Sequence, residues 1–264
     1  MDLQLDGKSA VVTGSTAGIG FAIAALLAAE GAHVIVNGRS AGRVSDAIGR
    51  IRAETPAARV DGVAADLGSA AGADRVIAVV PDIDILVNNV GIFEPKPFEK
   101  IPDVDWLRFF EVNVMSGVRL SRHYLPRMKE KNWGRVIFIS SESAIDIPAE
   151  MIHYGMTKSA QISVARGLAE TTVGTGVTVN SVLPGPTRSE GVVTFVEQLA
   201  KEQGMTFQEM EKQFFETARP SSLLKRFIDP KEVAALVVYL CSPLSSATTG
   251  AALRVEGGVV RSMV

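Results

Sequence analysis

Cysteine is nearly absent from this chain of 264 residues: Cys241 carries the only thiol, so no intrachain disulfide can form. Histidine is almost as sparse, and His33, His123 and His153 are scattered, so no metal-ligand cluster is evident and a site without metal is expected. Neither charge sign is in excess, with 27 Lys and Arg against 29 Asp and Glu and a formal net charge of -2. That balance excludes a basic surface, so neither nucleic acid nor an anionic membrane is an expected partner. No uncharged apolar run approaches bilayer length, and Met1 to Lys8 lack a basic stretch followed by an apolar one. A soluble, unprocessed, cytoplasmic protein is expected.

What the chain does contain is a rhythm. Short β-branched runs at Ala10 to Thr13, Val34 to Val36, Val60 to Ala64, Ile83 to Val87, Val136 to Ile139, Val177 to Val182 and Leu253 to Val255 alternate with longer helical patterns. Strands apolar on both faces belong in a parallel sheet covered by helices on each side, joined by right-handed crossovers. The pattern predicts an α/β fold of the doubly wound, Rossmann type with about seven strands. With no linker, repeat or composition break, residues 1–264 read as a single dinucleotide-binding catalytic domain. Gly191 to Phe227 is too long for an ordinary connection and carries its own helical pattern, so it reads as a small helical lid.

The first strand runs into Thr13-Gly14-Ser15-Thr16-Ala17-Gly18-Ile19-Gly20, followed by a helix from about Ile19 to Glu30. Glycines between a first strand and a first helix permit a tight turn and let the backbone approach a pyrophosphate, with the helix N-terminus aimed at it. Such a turn can also be merely structural, but its place at the first strand-to-helix connection favours a dinucleotide. An acid at the end of the second strand would hold ribose hydroxyls; here the residues are Val36-Asn37-Gly38-Arg39-Ser40. Arg39 can clamp a 2′-phosphate, favouring NADP(H) over NAD(H), or it can cap a surface loop. Asp66, in Ala64-Ala65-Asp66-Leu67, can accept from an adenine amine, cap the next helix, or both.

Tyr154 is the one tyrosine followed four residues later by a lysine, Lys158, and Ser140-Ser141 lies upstream. The segment His153 to Thr171 reads as a helix with Ile162, Ala165, Leu168 and Ala169 on one side, which puts Tyr154 and Lys158 on neighbouring turns of one face. Opposite charges about 4 Å apart at an effective dielectric of about 20 attract by roughly 4 kcal/mol. An ammonium beside the phenol is therefore expected to bring tyrosine toward proton transfer at neutral pH. Carbonyl reduction or alcohol oxidation is the chemistry suggested.

In order and spacing, Thr13-Gly14-x-x-x-Gly18-x-Gly20, Asn88-Asn89-Val90-Gly91, Asn113, Ser141, Tyr154-x-x-x-Lys158 and Pro184-Gly185 resemble the short-chain dehydrogenase/reductase family along nearly the whole chain. The resemblance implies that Tyr154 is the general acid and base, that Ser141 holds the reacting carbonyl oxygen, and that Lys158 holds the nicotinamide ribose and depresses the Tyr154 pKa. It implies that Asn113, in a helical stretch from about Asp103 to Lys129, marks an irregularity freeing a backbone carbonyl for a water in a proton relay. Gly14, Ser15, Thr16, Gly18, Ile19, Gly20, Arg39, Asp66, Leu67, Asn89, Gly91, Tyr154, Lys158, Pro184, Gly185, Thr187 and Ser189 would line the coenzyme. Three positions depart from the family: Ser189 replaces its usual Thr but keeps the hydroxyl, Val90 replaces its common Ala, and Ala17 stands where many NADP(H) members carry Arg or Lys, so the coenzyme preference rests on Arg39 alone.

The activity implied is NADP(H)-dependent hydride transfer between nicotinamide and a ketone, aldehyde or secondary alcohol. A 3-oxoacyl-thioester (acyl-carrier-protein) reductase is the alternative within this class, and a non-catalytic dinucleotide-binding protein is the alternative outside it. The apolar C-terminal residues from Leu253 to Val264 suggest subunit contacts, and the family implies a homotetramer. Val192, Val193, Phe195, Met205, Phe207, Met210, Phe214 and Phe215 give the lid an apolar face, which predicts a small-molecule carbonyl substrate that is apolar or aryl-substituted rather than a sugar.

Overall fold

The structure, a computed structural model, describes residues 2–263 apart from the side chains of Phe195 and Leu199. Among the described residues, β1 (Ser9–Val12), β2 (His33–Gly38), β3 (Val60–Ala64), β4 (Ile85–Asn88), β5 (Gly134–Ile139), β6 (Val177–Pro184) and β7 (Ala252–Val255) form one parallel sheet in the order β3-β2-β1-β4-β5-β6-β7. The register pairs Ala10 with both Val34 and Ile85, so β1 is central and the strand order reverses between β1 and β4. At that reversal the helices leave to opposite faces, and a crevice opens at the strands' C-terminal ends.

Alternating side chains along each strand supply two cores. Ala10, Val12, Val34, Val36, Ile85 and Val87 pack against α1 (Gly18–Ala29), α2 (Ala41–Glu54) and α9 (Pro230–Cys241). Val11, Ile35, Leu86, Val136 and Phe138 face α3 (Ala70–Val79), α5 (Ser116–Glu130) and α6 (Ile152–Glu170). Burial of each Val, Ile, Leu or Phe side chain here contributes about 1.5–3 kcal/mol, and this two-sided burial holds the crevice-forming strand ends in place.

The strands differ from expectation at their ends. β2 and β6 extend into Asn37, Gly38 and Pro184, whose backbones pair although their side chains give no β signal, whereas Thr13 and Ile83 fall outside. The expected helix from Asp103 to Lys129 is interrupted: α4 (Asp103–Phe110) passes into π-helix at Glu111–Met115 before α5 begins. The segment read from sequence as a lid comprises α7 (Glu190–Gln203), capped by Ser189, and α8 (Phe207–Thr217), which opens with a Thr206–Glu209 capping box. Val196, Ala200, Met210, Phe215 and Phe227 form its own small core.

Candidate active site

The glycine turn fits close approach by a dinucleotide. Gly14 and Gly18 have φ of +59° and +57°, and a Cβ on Gly20 would stand 2.4 Å from Asn89 Nδ2 and 2.5 Å from the Gly14 carbonyl oxygen. Ser15 is buried and pins the turn to the sheet, its hydroxyl donating to the Val12 carbonyl and its amide to the Asn37 carbonyl. Thr16 packs against Gly38, and Ile19 lines the crevice. Asn89 Nδ2 donates to the carbonyls of Thr13 and Gly14, tying the turn to the end of β4. Val90 also packs on Gly14 without closing the turn.

Arg39 is exposed at the end of β2 and has no ion-pair partner among the described residues, whereas nearby Arg43 is held by Glu190 at 2.5 Å. Leu67 is buried; Asp66 is exposed and accepts from the Gly68 amide. Capping of α3 falls to Ser69, which corrects the helix-cap reading of Asp66. At the other side of the crevice Pro184 ends β6, and a Cβ on Gly185 would stand 2.5 Å from the Glu256 carbonyl. Thr187 is buried with its hydroxyl on the Gly185 carbonyl, while the Ser189 hydroxyl accepts from Val192 N as the cap of α7.

Tyr154, Lys158 and Ser141 meet at a cavity of about 460 Å³ that opens beside Asn89, Gly91, Pro184, Gly185, Thr187 and Ser189. The helix α6 presents Tyr154 and Lys158 as the spacing predicts, and Ser141 follows β5. Ser140 turns away, its hydroxyl donating to the Lys158 carbonyl, and Ser143 donates its amide to Ser141 Oγ. The Lys158 ammonium donates to the Ile139 carbonyl at 2.9 Å and to Gln161 Oε1 at 3.2 Å, with the Tyr154 ring centroid at 5.6 Å. Burial lowers Lys158 to about 7, with the Glu142 carboxylate opposing.

One expectation is corrected. Tyr154 is raised above its ordinary pKa, chiefly by burial and then by Glu142, with the Ser141 hydrogen bond and Arg219 opposing. The lysine does not depress it, because the ammonium is committed to a carbonyl and an amide rather than to the phenol. Asn113 does sit in the expected irregularity, where its side chain bonds Ile92 and Thr157. Its backbone carbonyl accepts from Gln161 Nε2 at 2.6 Å, which leaves the second lone pair of that oxygen for a further donor.

Sequence reading missed the other wall of the cavity. Ser141 donates to the buried Glu142 carboxylate at 2.5 Å, and Arg219, which follows α8, reaches Glu142 at 3.5 Å and Glu150 at 3.3 Å. Burial raises Glu142 above the usual carboxylate range against these partners. A charged residue amid the buried run at the end of β5 was the available signal; Arg219 gave none. Of the lid residues named from sequence, Val192, Met210 and Phe214 line the cavity while Phe215 is buried within the lid. The Phe195 side chain lies outside the described residues.

A sequence profile described as enoyl-(acyl carrier protein) reductase matches residues 14–260. The chain belongs to the short-chain dehydrogenase/reductase family. It is thus an oxidoreductase acting on hydroxyl and carbonyl carbons with a nicotinamide coenzyme. This dehydrogenase/reductase is 52% identical over 263 residues to an uncharacterized oxidoreductase, YvaG, of Bacillus subtilis, covering 100% of both chains. It is 34% identical to a D-beta-hydroxybutyrate dehydrogenase of Cupriavidus necator, covering 97% of this chain and 99% of that one. Among solved structures it resembles L-sorbose reductase of Gluconobacter frateurii complexed with NADPH and L-sorbose, with a TM-score of 0.94, 31% identity and 100% of each chain covered.

Proposed function

We propose that this enzyme is an NADP(H)-dependent carbonyl reductase, or secondary-alcohol dehydrogenase in reverse, working through Tyr154, Ser141, Lys158 and Asn113. The observation that carries this reading is the convergence of Tyr154, Ser141 and Lys158 on one cavity at the mouth of the glycine-lined crevice. The coenzyme supplies hydride to the carbonyl carbon. The Gly14 to Gly20 turn would hold its pyrophosphate, Arg39 its 2′-phosphate, Lys158 its ribose, and Thr187 and Ser189 its carboxamide. Gly91 leaves room for this: a Cβ there would stand 3.3 Å from Lys158 Nζ.

In reduction the Tyr154 phenol gives its proton to the carbonyl oxygen as negative charge develops there. The raised pKa keeps the phenol protonated at neutral pH, and an alkoxide is a stronger base than a phenolate, so transfer remains downhill. Ser141 donates to the same oxygen when its proton is not committed to Glu142. Asn113 anchors the Ile92 backbone at the cavity edge through both of its amide atoms. NADP(H) is favoured by the free Arg39 guanidinium and by the absence of an acid at the end of β2.

Phe93, Met151, Val192, Met210, Phe214 and Phe227 give the cavity an apolar outer wall, which supports apolar or aryl-substituted carbonyl substrates. Adaptable Met and Phe surfaces fill irregular volumes without fixing hydroxyl positions. Assembly into a homotetramer is supported by Val104 and Leu107 on α4, 66% and 70% exposed. The C-terminal tail no longer supports it as expected: Val259 and Val260 are buried in the chain itself, only Met263 among the described apolar tail residues is fully out, and Val264 lies outside the described residues. The chain would act as one cytoplasmic catalytic unit with its lid.

A panel of aryl ketones, aldehydes, ketoses and 3-oxoacyl thioesters, followed by NADPH and NADH consumption, tests this reading. Fastest turnover on an aryl ketone with NADPH is expected. Preference for a ketose refutes the apolar-pocket assignment, preference for the thioester selects the acyl reductase, and preference for NADH removes the role given to Arg39.

A further inference from the structure

Gln161 lies three residues beyond Lys158 on α6, on the same helical face, and is 2% exposed. Both ends of its amide are engaged. Oε1 accepts from Lys158 Nζ at 3.2 Å, and Nε2 donates to the Asn113 backbone carbonyl at 2.6 Å. That carbonyl belongs to the π-helical stretch Glu111–Met115, where the wider turn departs from the regular α-helical ladder and exposes a backbone acceptor to a side chain. Lys158 also donates to the Ile139 carbonyl. An ammonium has three donors, so two are directed at neutral acceptors and one remains for the cavity.

The surroundings make this arrangement matter. Glu142, from the turn after β5, is the carboxylate that acts on Lys158, and Tyr154 faces it from its own helix. Arg219 bears on the cluster through Glu142 and Tyr154. Among the described residues, the groups that the π-helical stretch, β5 and the segment after β4 place at Lys158 are neutral: the Asn113 carbonyl, the Ile139 carbonyl and Gly91, while Glu111 pairs with Arg119 and Arg135 bonds Gly134, Gly176 and Ser242. An amide neither gains nor loses a proton across the ordinary pH range, so the bridge holds its geometry while its neighbours titrate.

We propose that Gln161 is a positioning residue, which holds the Lys158 ammonium charged and correctly aimed by bridging it to the Asn113 carbonyl. The proposal rests on the roles given above to Tyr154 and Lys158. Because burial has brought Lys158 to about 7, its charge at neutral pH depends on every acceptor it keeps. Loss of one acceptor lowers it further, and an added negative charge raises it.

Two variants separate this from simple packing. Gln161→Met keeps length but removes both polar ends; Gln161→Glu keeps an acceptor toward Lys158 and adds charge. The charged lysine is lost as pH rises through its pKa, so the alkaline limb of kcat/KM for ketone reduction should move about one pH unit lower in the Met variant and about one unit higher in the Glu variant. Packing damage would lower kcat without moving the limb in opposite directions. Competitive acetylation of Lys158 by acetic anhydride across pH, read by mass spectrometry on the free proteins, reports the same midpoints without turnover. Midpoints that split as expected in a protein inactive on every ketone would uphold the bridge and reject the carbonyl-reductase reading. Midpoints that coincide, or that move the same way, overturn the proposal; if the Met variant does not fold, an unmoved Glu variant overturns it alone.

Discussion

Tyr154 stands between two polar clusters built on different principles. Toward Lys158, the partners are two backbone carbonyls and the amide side chain that bridges to one of them, and they come from β5, the π-helical stretch and α6, elements tied directly to the sheet. Toward Ser141, the partners are Glu142, Arg219 and Glu150, and the arginine arrives from the end of the lid. The first cluster has Lys158 as its one titrating group and surrounds it with carbonyl and amide partners that do not titrate, so its geometry is fixed. The second responds to pH, because a buried carboxylate held by a guanidinium changes character when it takes a proton.

The largest effect that would test this contrast is at Ser141. Ser141→Ala should lower kcat by about 10²-fold or more while NADPH binding is retained, the range seen when one donor to a developing oxyanion is removed. A loss under threefold in steady-state assays would take Ser141 out of the chemistry and leave the charged cluster structural.

Arg39→Asp comes next and lies outside both clusters. Loss of one charged hydrogen bond is worth about 1.5–3 kcal/mol, so kcat/KM with NADPH should fall by roughly 10- to 100-fold relative to NADH. An unchanged coenzyme ratio would mean that the exposed guanidinium touches nothing on the coenzyme.

Glu142→Gln tests the titrating side itself. While ionised, Glu142 takes the Ser141 proton; once protonated, it can donate to Ser141 Oγ and release that proton to the substrate. Burial raises Glu142, so wild-type reduction should become faster as pH falls through that raised value. The Gln variant, fixed as a donor, should stay within about threefold of wild type at its best and lose this acid-side rise. A profile that keeps the rise would assign it to another group.

The smallest effect belongs to His153, in neither cluster although it precedes Tyr154. Its ring lies against Phe109 and Trp106, and among the described residues neither ring nitrogen has a hydrogen-bond partner. Burial lowers its pKa against the pull of Glu94 and Asp105, so the unfolded chain binds the proton more readily. Its contribution is whole above the unfolded value of about 6.5 and is lost as pH falls toward the depressed folded value. His153→Phe should flatten the acid-side fall of Tm and change stability at pH 7 by less than about 1.5 kcal/mol. An equally steep fall in the variant would place the proton elsewhere.

The same contrast explains how much was legible in the sequence. β-branched runs marked all seven strands, and helical spacing placed Tyr154 and Lys158 on one face, because local periodicity governs both, whereas Ser141 was legible only through the family resemblance. The strand ends at Gly38 and Pro184 were not legible, since pairing there belongs to backbone rather than side chains. Gln161 lies within one turn of Lys158, but which way an amide faces depends on the π-helical stretch across from it. Arg219 meets Glu142 across 77 positions, a contact that periodicity cannot announce. The expected lysine effect on Tyr154 failed for the same reason: spacing puts the two on one face, whereas tertiary acceptors decide where the ammonium points.

The most direct test of the central claim is Tyr154→Phe, with NADPH affinity measured by fluorescence titration alongside single-turnover reduction of the best ketone. The account predicts unchanged coenzyme affinity and a rate lower by about 10²- to 10⁴-fold, the usual worth of a positioned general acid. A variant that binds NADPH and reduces the ketone at the wild-type rate would contradict it.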